Sequence, residues 1–150
     1  MLRLPKSVDY GILILLTLYE ADQAETLSAL QVARACGLPH QQVAKLLKLL
    51  QRRDAVESIR GPRGGYRLKA DGAVLSLQQI YDMIEGPLAL TECMSDEPCH
   101  CRVMENCRLQ PYMVAVNQTI EHAFSGITLR QISEKKKPLP PFSDQIGMVV

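Results

Sequence analysis

Two amphipathic helices separated by a glycine turn, within residues 28–52, constrain the fold more than any other feature of this sequence. Ser28 and Gln31 have the spacing of a capping box, which predicts a helix that starts after Ser28 and ends at Gly37. The next segment, Gln41 to Arg52, places apolar residues on one face and polar or basic residues on the other. A short helix, a turn and a longer helix with a basic outer face predict a helix–turn–helix. Helix pairs also occur in proteins that never bind DNA, so this element alone does not establish DNA binding. The residues that follow the pair provide the further evidence.

The segment after the second helix predicts a β-hairpin with an arginine-rich tip. Ala55–Ile59 and Tyr66–Lys69 alternate as strands do, and residues 60–65 between them contain three glycines and two arginines. A hairpin in this position forms the wing of a winged helix. Glycine allows the backbone to approach DNA closely, and the negative potential of a minor groove attracts Arg60 or Arg63. An ordinary exposed hairpin would explain the glycines but not the paired arginines.

The charge distribution points to the same part of the chain. The formal net charge is only +1, which by itself identifies no partner. Residues 40–69 carry eight basic and two acidic side chains, whereas residues 70–150 carry six basic and ten acidic ones. A local basic block predicts a surface that contacts a phosphate backbone, although a solvated helix face has the same composition.

Apolar residues at helical spacing predict further helices on both sides of this block. Residues 6–20 form the first, a second capping box at Ser76 opens another, and a third at Thr128 opens a short last one. Between them lies a long amphipathic helix whose apolar stripe contains Leu109, Tyr112, Met113, Val116, Ile120, Ala123 and Phe124. Because this helix has little of its own chain to pack against, we expect it to pair with the same helix of a second subunit.

These elements predict a mainly α fold with a small β wing: a winged helix–turn–helix plus a long dimerisation helix. The predicted boundaries are residues 1–87 for the DNA-binding domain, 88–108 for a cysteine-rich loop, 109–133 for the dimerisation and terminal helices, and 134–150 for a flexible tail rich in lysine and proline. The longest apolar run, Ile12–Leu18, is far shorter than the roughly 20 residues that a membrane span needs. We therefore expect a cytoplasmic protein without membrane contact.

The predicted loop concentrates four of the five cysteines, Cys93, Cys99, Cys101 and Cys107. They give two nested spacings, C-x5-C-x7-C through Cys99 and C-x7-C-x5-C through Cys101. Thiolates are the usual ligands of iron–sulfur clusters, and a loop of this length lets three of them converge. Zinc, which usually takes shorter C-x2-4-C spacings, and metal-free thiol redox sensing stay open as alternatives. Cys36, alone in an apolar helix, is expected to be a buried small residue.

With these features in order, the chain resembles the IscR/NsrR/CymR family of winged-helix bacterial regulators over residues 1–132. The resemblance rests on Asp9-Tyr-Gly, on the wing segment Arg60–Leu68, on the cysteine loop and on Gly126-Ile-Thr-Leu. The opening Met-Leu-Arg-Leu with Asp9-Tyr-Gly is most similar to the branch that regulates SUF iron–sulfur assembly genes. The family implies a homodimer whose three loop cysteines hold an iron–sulfur cluster.

The resemblance also implies a ligand set, in which this chain departs from the IscR branch. That branch has C-x5-C-x5-C-x2-H, but here the loop is two residues longer and Gln110 stands where the histidine would be. The nitric-oxide-sensing branch uses C-x7-C-x5-C and an aspartate from the partner's first helix, which Cys93, Cys101, Cys107 and Asp9 match. Cys99 is the alternative to Cys101, and Asp9 or His100 is the expected non-cysteine ligand of a 2Fe-2S or 4Fe-4S cluster.

We therefore predict a cluster-dependent transcription regulator, not an enzyme, that binds double-stranded promoter DNA as a homodimer. Amide side chains suit bidentate contacts to adenine, and guanidinium groups suit phosphate or the minor groove. The expected DNA-binding residues are His40, Gln41, Gln42, Lys45, Lys48, Arg60 and Arg63. One alternative is a nitric oxide or redox sensing repressor of the same fold, and another is a small iron–sulfur or zinc protein for electron transfer or cluster delivery.

Overall fold

The computed structural model of the chain describes residues 3–21, 25–95 and 98–134. Six α-helices and one two-stranded antiparallel sheet lie within these ranges, so the mainly α fold with a small wing is confirmed. The predicted tail at residues 134–150 lies, from residue 135 on, outside the described residues. The elements in chain order are α1 (Lys6–Glu20), α2 (Ala29–Cys36), α3 (His40–Arg52), β1 (Val56–Ile59), β2 (Gly65–Leu68), α4 (Leu77–Glu85), α5 (Gln110–Ser125) and α6 (Leu129–Ser133).

Helix α1 is the central element of the core, and it packs against α2, α3, α4 and α6. Ile14 and Leu15 are fully buried, and Val8 and Leu18 nearly so. The periodicity of residues 6–20 predicts an apolar face of Val8, Ile12, Leu15, Leu16 and Tyr19, widened by Ile14 and Leu18. Ile12, Leu16 and Tyr19 are only half-buried, so the enclosed face is shifted toward Ile14 and Leu18. The shift follows from tertiary packing, because the helices around α1 determine which part of its broad apolar surface is enclosed.

The predicted helix–turn–helix is present, with its local signals in the expected places. The Ser28 hydroxyl accepts from the Gln31 N–H at 3.3 Å, and the Gln31 side chain accepts from the Ser28 N–H at 2.8 Å. Gly37 ends α2 in a left-handed conformation with φ of 66°, which glycine adopts without strain. Val43, Leu46, Leu47 and Leu50 of α3 are buried, as predicted, against the core. Cys36 is half-buried, with Sγ 3.1 Å from the Thr17 hydroxyl of α1.

The wing is a short hairpin fixed to the helix–turn–helix by a third extended segment. In β1 and β2, Val56 pairs with Leu68 and Ile59 with Gly65. Leu27, just before α2, forms an antiparallel bridge with Tyr66 through backbone hydrogen bonds of 2.9 and 2.8 Å. This bridge, which the sequence did not predict, joins the wing directly to the start of α2.

Helix α6 returns to the DNA-binding domain and completes its core. Leu129 is fully buried in the same cluster as the side chains of α1 and α3. Two backbone hydrogen bonds hold this return, from the Leu77 N–H to Ile127 O at 2.9 Å and from the Leu129 N–H to Leu75 O at 3.0 Å. The short terminal helix therefore packs with the winged domain.

The long helix predicted near residues 109–124 is α5, which packs on α4. Tyr81 and Phe124 face each other across this contact, with ring centroids 6.5 Å apart. Burial raises the pKa of the Asp82 carboxyl in α4, while a 2.9 Å hydrogen bond from the Gln78 amide opposes that rise.

Much of the apolar stripe predicted for α5 is solvent-exposed: Leu109 is 59% exposed, Tyr112 71% and Val116 46%. None of the helices in the described ranges has the length and hydropathy needed to cross a membrane.

Candidate nucleic-acid interface and cysteine loop

The outward face of α3 presents all of its predicted DNA-binding residues to solvent. His40, Gln41 and Gln42 lie in the first turn, and Lys45 and Lys48 follow on the same side; all five are exposed. Their orientation is fixed because the opposite face of α3 is buried in the core. The amphipathic pattern of this segment therefore positions donors and cations on one continuous surface.

The wing tip is a tight turn with both arginines exposed. The Gly64 N–H donates to Gly61 O at 2.9 Å, and Gly61 has a φ of 130° that only glycine tolerates well. The Thr26 hydroxyl donates to the Arg63 carbonyl at 2.8 Å, which anchors the backbone of the tip. Arg60 and Arg63 thus project from a tip whose backbone is held at two points.

Both acidic residues of the basic segment, residues 40–69, form ion pairs within that segment. Arg67 pairs with Glu57 at 2.6 Å across the hairpin, and Lys69 pairs with Asp54. Lys45, Lys48, Arg60 and Arg63 make no salt bridge to any residue that the structure describes. None of these four cations is therefore paired directly with a carboxylate of the described residues.

A cleft of about 700 Å³ between α1, α3 and α4 extends this basic surface. One wall is the outer face of α3, with Gln42, Lys45, Lys48 and Arg52, and the opposite wall is the start of α1, with Lys6 and Ser7. The Ser7 hydroxyl donates to the carboxylate of Glu85, which also lines the cleft. Lys6 was not among the predicted DNA-binding residues, because its position opposite α3 depends on tertiary packing.

The cysteine loop connects α4 to α5 and contains two short 3-10 turns, Glu92–Met94 and Met104–Asn106. All of the cysteines carry free thiols. Cys93, Cys99 and Cys107 are half-buried, and Cys101 is exposed. Cys93 Sγ lies 3.2 Å from the Thr91 hydroxyl, and Cys101 borders a cavity of about 400 Å³ formed with residues 102–106.

The loop contains the predicted cysteine ligands and His100, but in the structure these side chains do not form one metal-binding group. In the described residues, no three His, Cys, Asp or Glu side chains are grouped closely enough to hold a metal ion. Asp9 and His100 are both exposed, Asp9 in the first turn of α1 and His100 beside Cys101. The donor set still fits an iron–sulfur cluster, because the loop carries four free thiols and its described residues, 88–95 and 98–108, contain no α-helix or strand that would prevent bending.

A single buried side chain of α5 holds the start of this loop. Asn117 is 7% exposed, and its Oδ1 accepts from the Leu90 N–H at 3.1 Å. Its Nδ2 donates to the Leu88 carbonyl at 3.0 Å and to Glu121 Oε1 at 2.9 Å. Asn117 was not among the predicted functional residues, because its only signal in the sequence is that it is a polar residue inside an otherwise apolar helix face.

Comparison with known proteins supports the winged-helix architecture. The structure of CymR (YrzC), the global cysteine regulator of B. subtilis, matches with a TM-score of 0.70 at 21% identity, over 90% of this chain and 98% of that chain. T. potens IscR matches with a TM-score of 0.67 at 18% identity, over 94% of this chain and 95% of that chain. At these identities the likeness establishes the fold.

Sequence comparison establishes the family. "Protein aau3" of Rhizobium meliloti (strain 1021) is 27% identical over 148 residues, which are 98% of this chain and 93% of that protein. The model of the Rrf2 family, described as an iron-dependent transcriptional regulator, matches residues 4–135. Because this match covers nearly all of the winged domain, the cysteine loop and α5, the chain belongs to the Rrf2 family of transcriptional regulators.

Proposed function

We propose that this chain is a homodimeric, cytoplasmic transcription regulator whose binding to promoter DNA depends on an iron–sulfur cluster held by its cysteine loop. The genes that it controls encode iron–sulfur cluster assembly of the SUF type. The observation that carries the proposal is the position of the loop, which leads from the DNA-binding domain into α5 and contains four free thiols. The SUF assignment is supported by the opening Met-Leu-Arg-Leu and Asp9-Tyr-Gly segments.

DNA binding is assigned to the outer face of α3 and to the wing. Gln41, Gln42 and Lys45, with His40, face the base edges of the major groove, where amide and ammonium groups read donors and acceptors. Lys48, Arg60 and Arg63 contact phosphates or the minor groove. Two observations support this assignment. Lys45, Lys48, Arg60 and Arg63 are exposed and have no ion-pair partner among the described residues, whereas Arg67 and Lys69 are paired with Glu57 and Asp54.

Cys93, Cys101 and Cys107 are the proposed cluster ligands, with Cys99 as the alternative to Cys101. The proposed fourth ligand is Asp9 of the partner subunit, or His100 of the same loop. The free thiols, the open position of Cys101 and the exposure of Asp9 on the surface of α1 support this set. When bound, the cluster supplies a redox-sensitive and iron-sensitive group, in the 2Fe-2S or 4Fe-4S form. The loop residues hold it, and their rearrangement changes the geometry of α5.

Dimerisation is assigned to the exposed stripe of α5. Leu109, Tyr112 and Val116 lie on one side of its first turns and are 46–71% exposed in the single chain. Exposed large apolar residues in a continuous row are typical of a surface that another protein covers. A second copy of α5 covers this stripe in the proposed dimer, which places two reading heads on a two-fold operator.

A nitric oxide or thiol redox sensor of the same fold is the second candidate. It is favoured by the dispersed free thiols, of which Cys101 is exposed to oxidants. Iron and acid-labile sulfide, counted per subunit in protein purified without oxygen, separate the two candidates. Cys93→Ala is expected to lose the visible absorbance of the cluster, whereas Cys36→Ala retains it; colour that survives Cys93→Ala contradicts the ligand assignment.

Salt-dependent binding to a duplex promoter fragment tests the DNA interface and separates a regulator from a small electron-transfer or cluster-delivery protein. Arg63→Ala removes one phosphate or groove contact, so the slope of log affinity against log salt should become shallower by about 0.9. Lys69→Ala is the matched control, because Lys69 already pairs with Asp54. If the parent protein shows no salt-dependent binding to any duplex, the regulator assignment is wrong.

A further inference from the structure

The amide group of Asn117 connects the start of the cysteine loop to α5 through two hydrogen bonds. Helix α5, all of whose residues are described, buries Asn117 alone. The Asn117 side chain donates to the Leu88 carbonyl and accepts from the Leu90 N–H, at 3.0 and 3.1 Å. Leu88 and Leu90 belong to the segment that follows α4. The Asn117 amide bonds to one carbonyl and one N–H of this segment, in the way that a paired β-strand would.

The first cysteine of the loop lies immediately beyond this attachment. Leu90 and Cys93 are three residues apart, so their Cα atoms are separated by at most about 11 Å. Thr91, between them, places its hydroxyl 3.2 Å from Cys93 Sγ. Any movement that draws Cys93 toward Cys101 or Cys107 therefore acts on the Leu90 N–H and on the Asn117 amide that holds it.

The chemistry of the residue argues for a role in positioning. Asparagine is a weaker helix former than leucine or alanine, and burying its amide costs free energy unless every polar atom is paired. Glu121, one turn later, pairs the remaining donor of the amide at 2.9 Å. A buried asparagine inside an apolar interface fixes the register of the elements that it joins, at some cost in stability.

We propose that Asn117 is the residue that couples the cysteine loop to the dimerisation helix. Through this amide, the arrangement of the loop thiols determines the position of residues 88–90 on α5, and so the position of α5 relative to the reading heads. The inference rests on the proposed function, because it assigns to one side chain the transmission of the loop state to the DNA-binding surface.

The test compares Asn117→Ala and Asn117→Asp with the parent protein. Asn117→Asp keeps an oxygen that accepts from the Leu90 N–H, but its second carboxylate oxygen is repelled by the Leu88 carbonyl and by Glu121, so that half of the clamp is broken. Thr119→Ala is the control on the same helix, because the Thr119 hydroxyl is exposed and donates to Ala115 O within α5, away from residues 88–90. The primary readout is the ratio of the dissociation constants of cluster-free and cluster-loaded dimers for one promoter duplex at fixed salt.

A coupled parent protein has a ratio of about 5 to 150, the usual range for allosteric coupling. We expect Asn117→Ala to lower this ratio to within about twofold of unity while it still takes up iron, because the two sites then act independently. Asn117→Asp should give an intermediate ratio, and Thr119→Ala the parent value.

A second readout needs no cluster. In cluster-free protein, loss of the hydrogen bond should make amide hydrogen exchange at Leu90 roughly fivefold faster in Asn117→Ala, with no change in Thr119→Ala. If Asn117→Ala does not fold, Asn117→Leu, a strong helix former that makes no hydrogen bond to residues 88–90, carries both measurements. A parent-like ratio in the folded Asn117 variants overturns the inference, and a parent ratio of unity overturns the proposed function itself.

Discussion

Replacing Gly65 by alanine should detach the wing from the helix–turn–helix. A Cβ atom at this position would lie 2.6 Å from the Leu27 carbonyl carbon and oxygen and 2.9 Å from the Ser28 nitrogen. These are backbone atoms, which cannot rotate away as a side chain does. The two strands must therefore separate at the bridge between Leu27 and Tyr66, whose hydrogen bonds measure 2.9 and 2.8 Å.

The size of the effect follows from those two bonds. A backbone hydrogen bond contributes about 0.5–1.5 kcal/mol net, so losing both lowers the free energy of unfolding by about 1–3 kcal/mol. For a chain of this length, each kcal/mol lowers the melting temperature by roughly 2–4 °C. The displaced wing should also weaken DNA binding, because Thr26, next to Leu27, holds the Arg63 carbonyl of the wing tip.

Urea denaturation followed by circular dichroism measures the first effect, and binding to a promoter duplex measures the second. Gly126→Ala is the control, since Gly126 ends α5 with a φ of −77° that alanine adopts freely. A change below about 0.5 kcal/mol for Gly65→Ala, the usual range for an unconstrained surface site, would refute the reasoning about the bridge.

Three further predictions test other parts of the account. Lys6→Ala should make the salt dependence of DNA binding shallower by about 0.9, because Lys6 faces the basic wall of α3 across the cleft; a slope equal to that of the parent protein would place DNA away from the cleft. Tyr112→Asp should raise the dimer dissociation constant at least about 100-fold in analytical ultracentrifugation, since the proposed dimer loses two aromatic side chains that the partner helix covers, whereas Gln118→Asp should not; equal sedimentation of both variants would contradict the assignment of the α5 stripe. Leu129→Ala should lower the free energy of unfolding by about 2–5 kcal/mol, the cost of truncating a buried leucine, and a loss below about 1 kcal/mol would show that α6 is not part of the winged core.

Local signals allowed most of the fold to be predicted from the sequence. The capping boxes at Ser28, Ser76 and Thr128 begin helices at the expected positions, because capping depends only on residues three apart. Gly37 and the wing-tip Gly61 lie in turns with positive φ, which glycine adopts readily, so their positions were also predictable from local sequence. The outward face of α3 follows from helical periodicity, which requires no knowledge of tertiary contacts.

The parts that could not be predicted depend on contacts between distant residues. No local sequence pattern around Leu27 predicts that it pairs with Tyr66. No local pattern around Leu129 predicts that it is buried between α1 and the Ala70–Val74 turn. Lys6 and Lys45 line one cleft only because α1 and α3 pack together, and α4 approaches α1 closely at Gly11, where a Cβ would meet the Ile84 side chain. The Asn117 clamp likewise joins residues separated by 27 positions or more.

The central claim is that the state of the cysteine loop controls DNA affinity, and one titration tests it most directly. The same preparation is measured on one promoter duplex at one salt concentration, first with its iron–sulfur cluster and then after the iron has been removed without oxygen. We expect the two dissociation constants to differ at least about fivefold, the lower end of typical allosteric coupling. Equal dissociation constants for the two forms would contradict it.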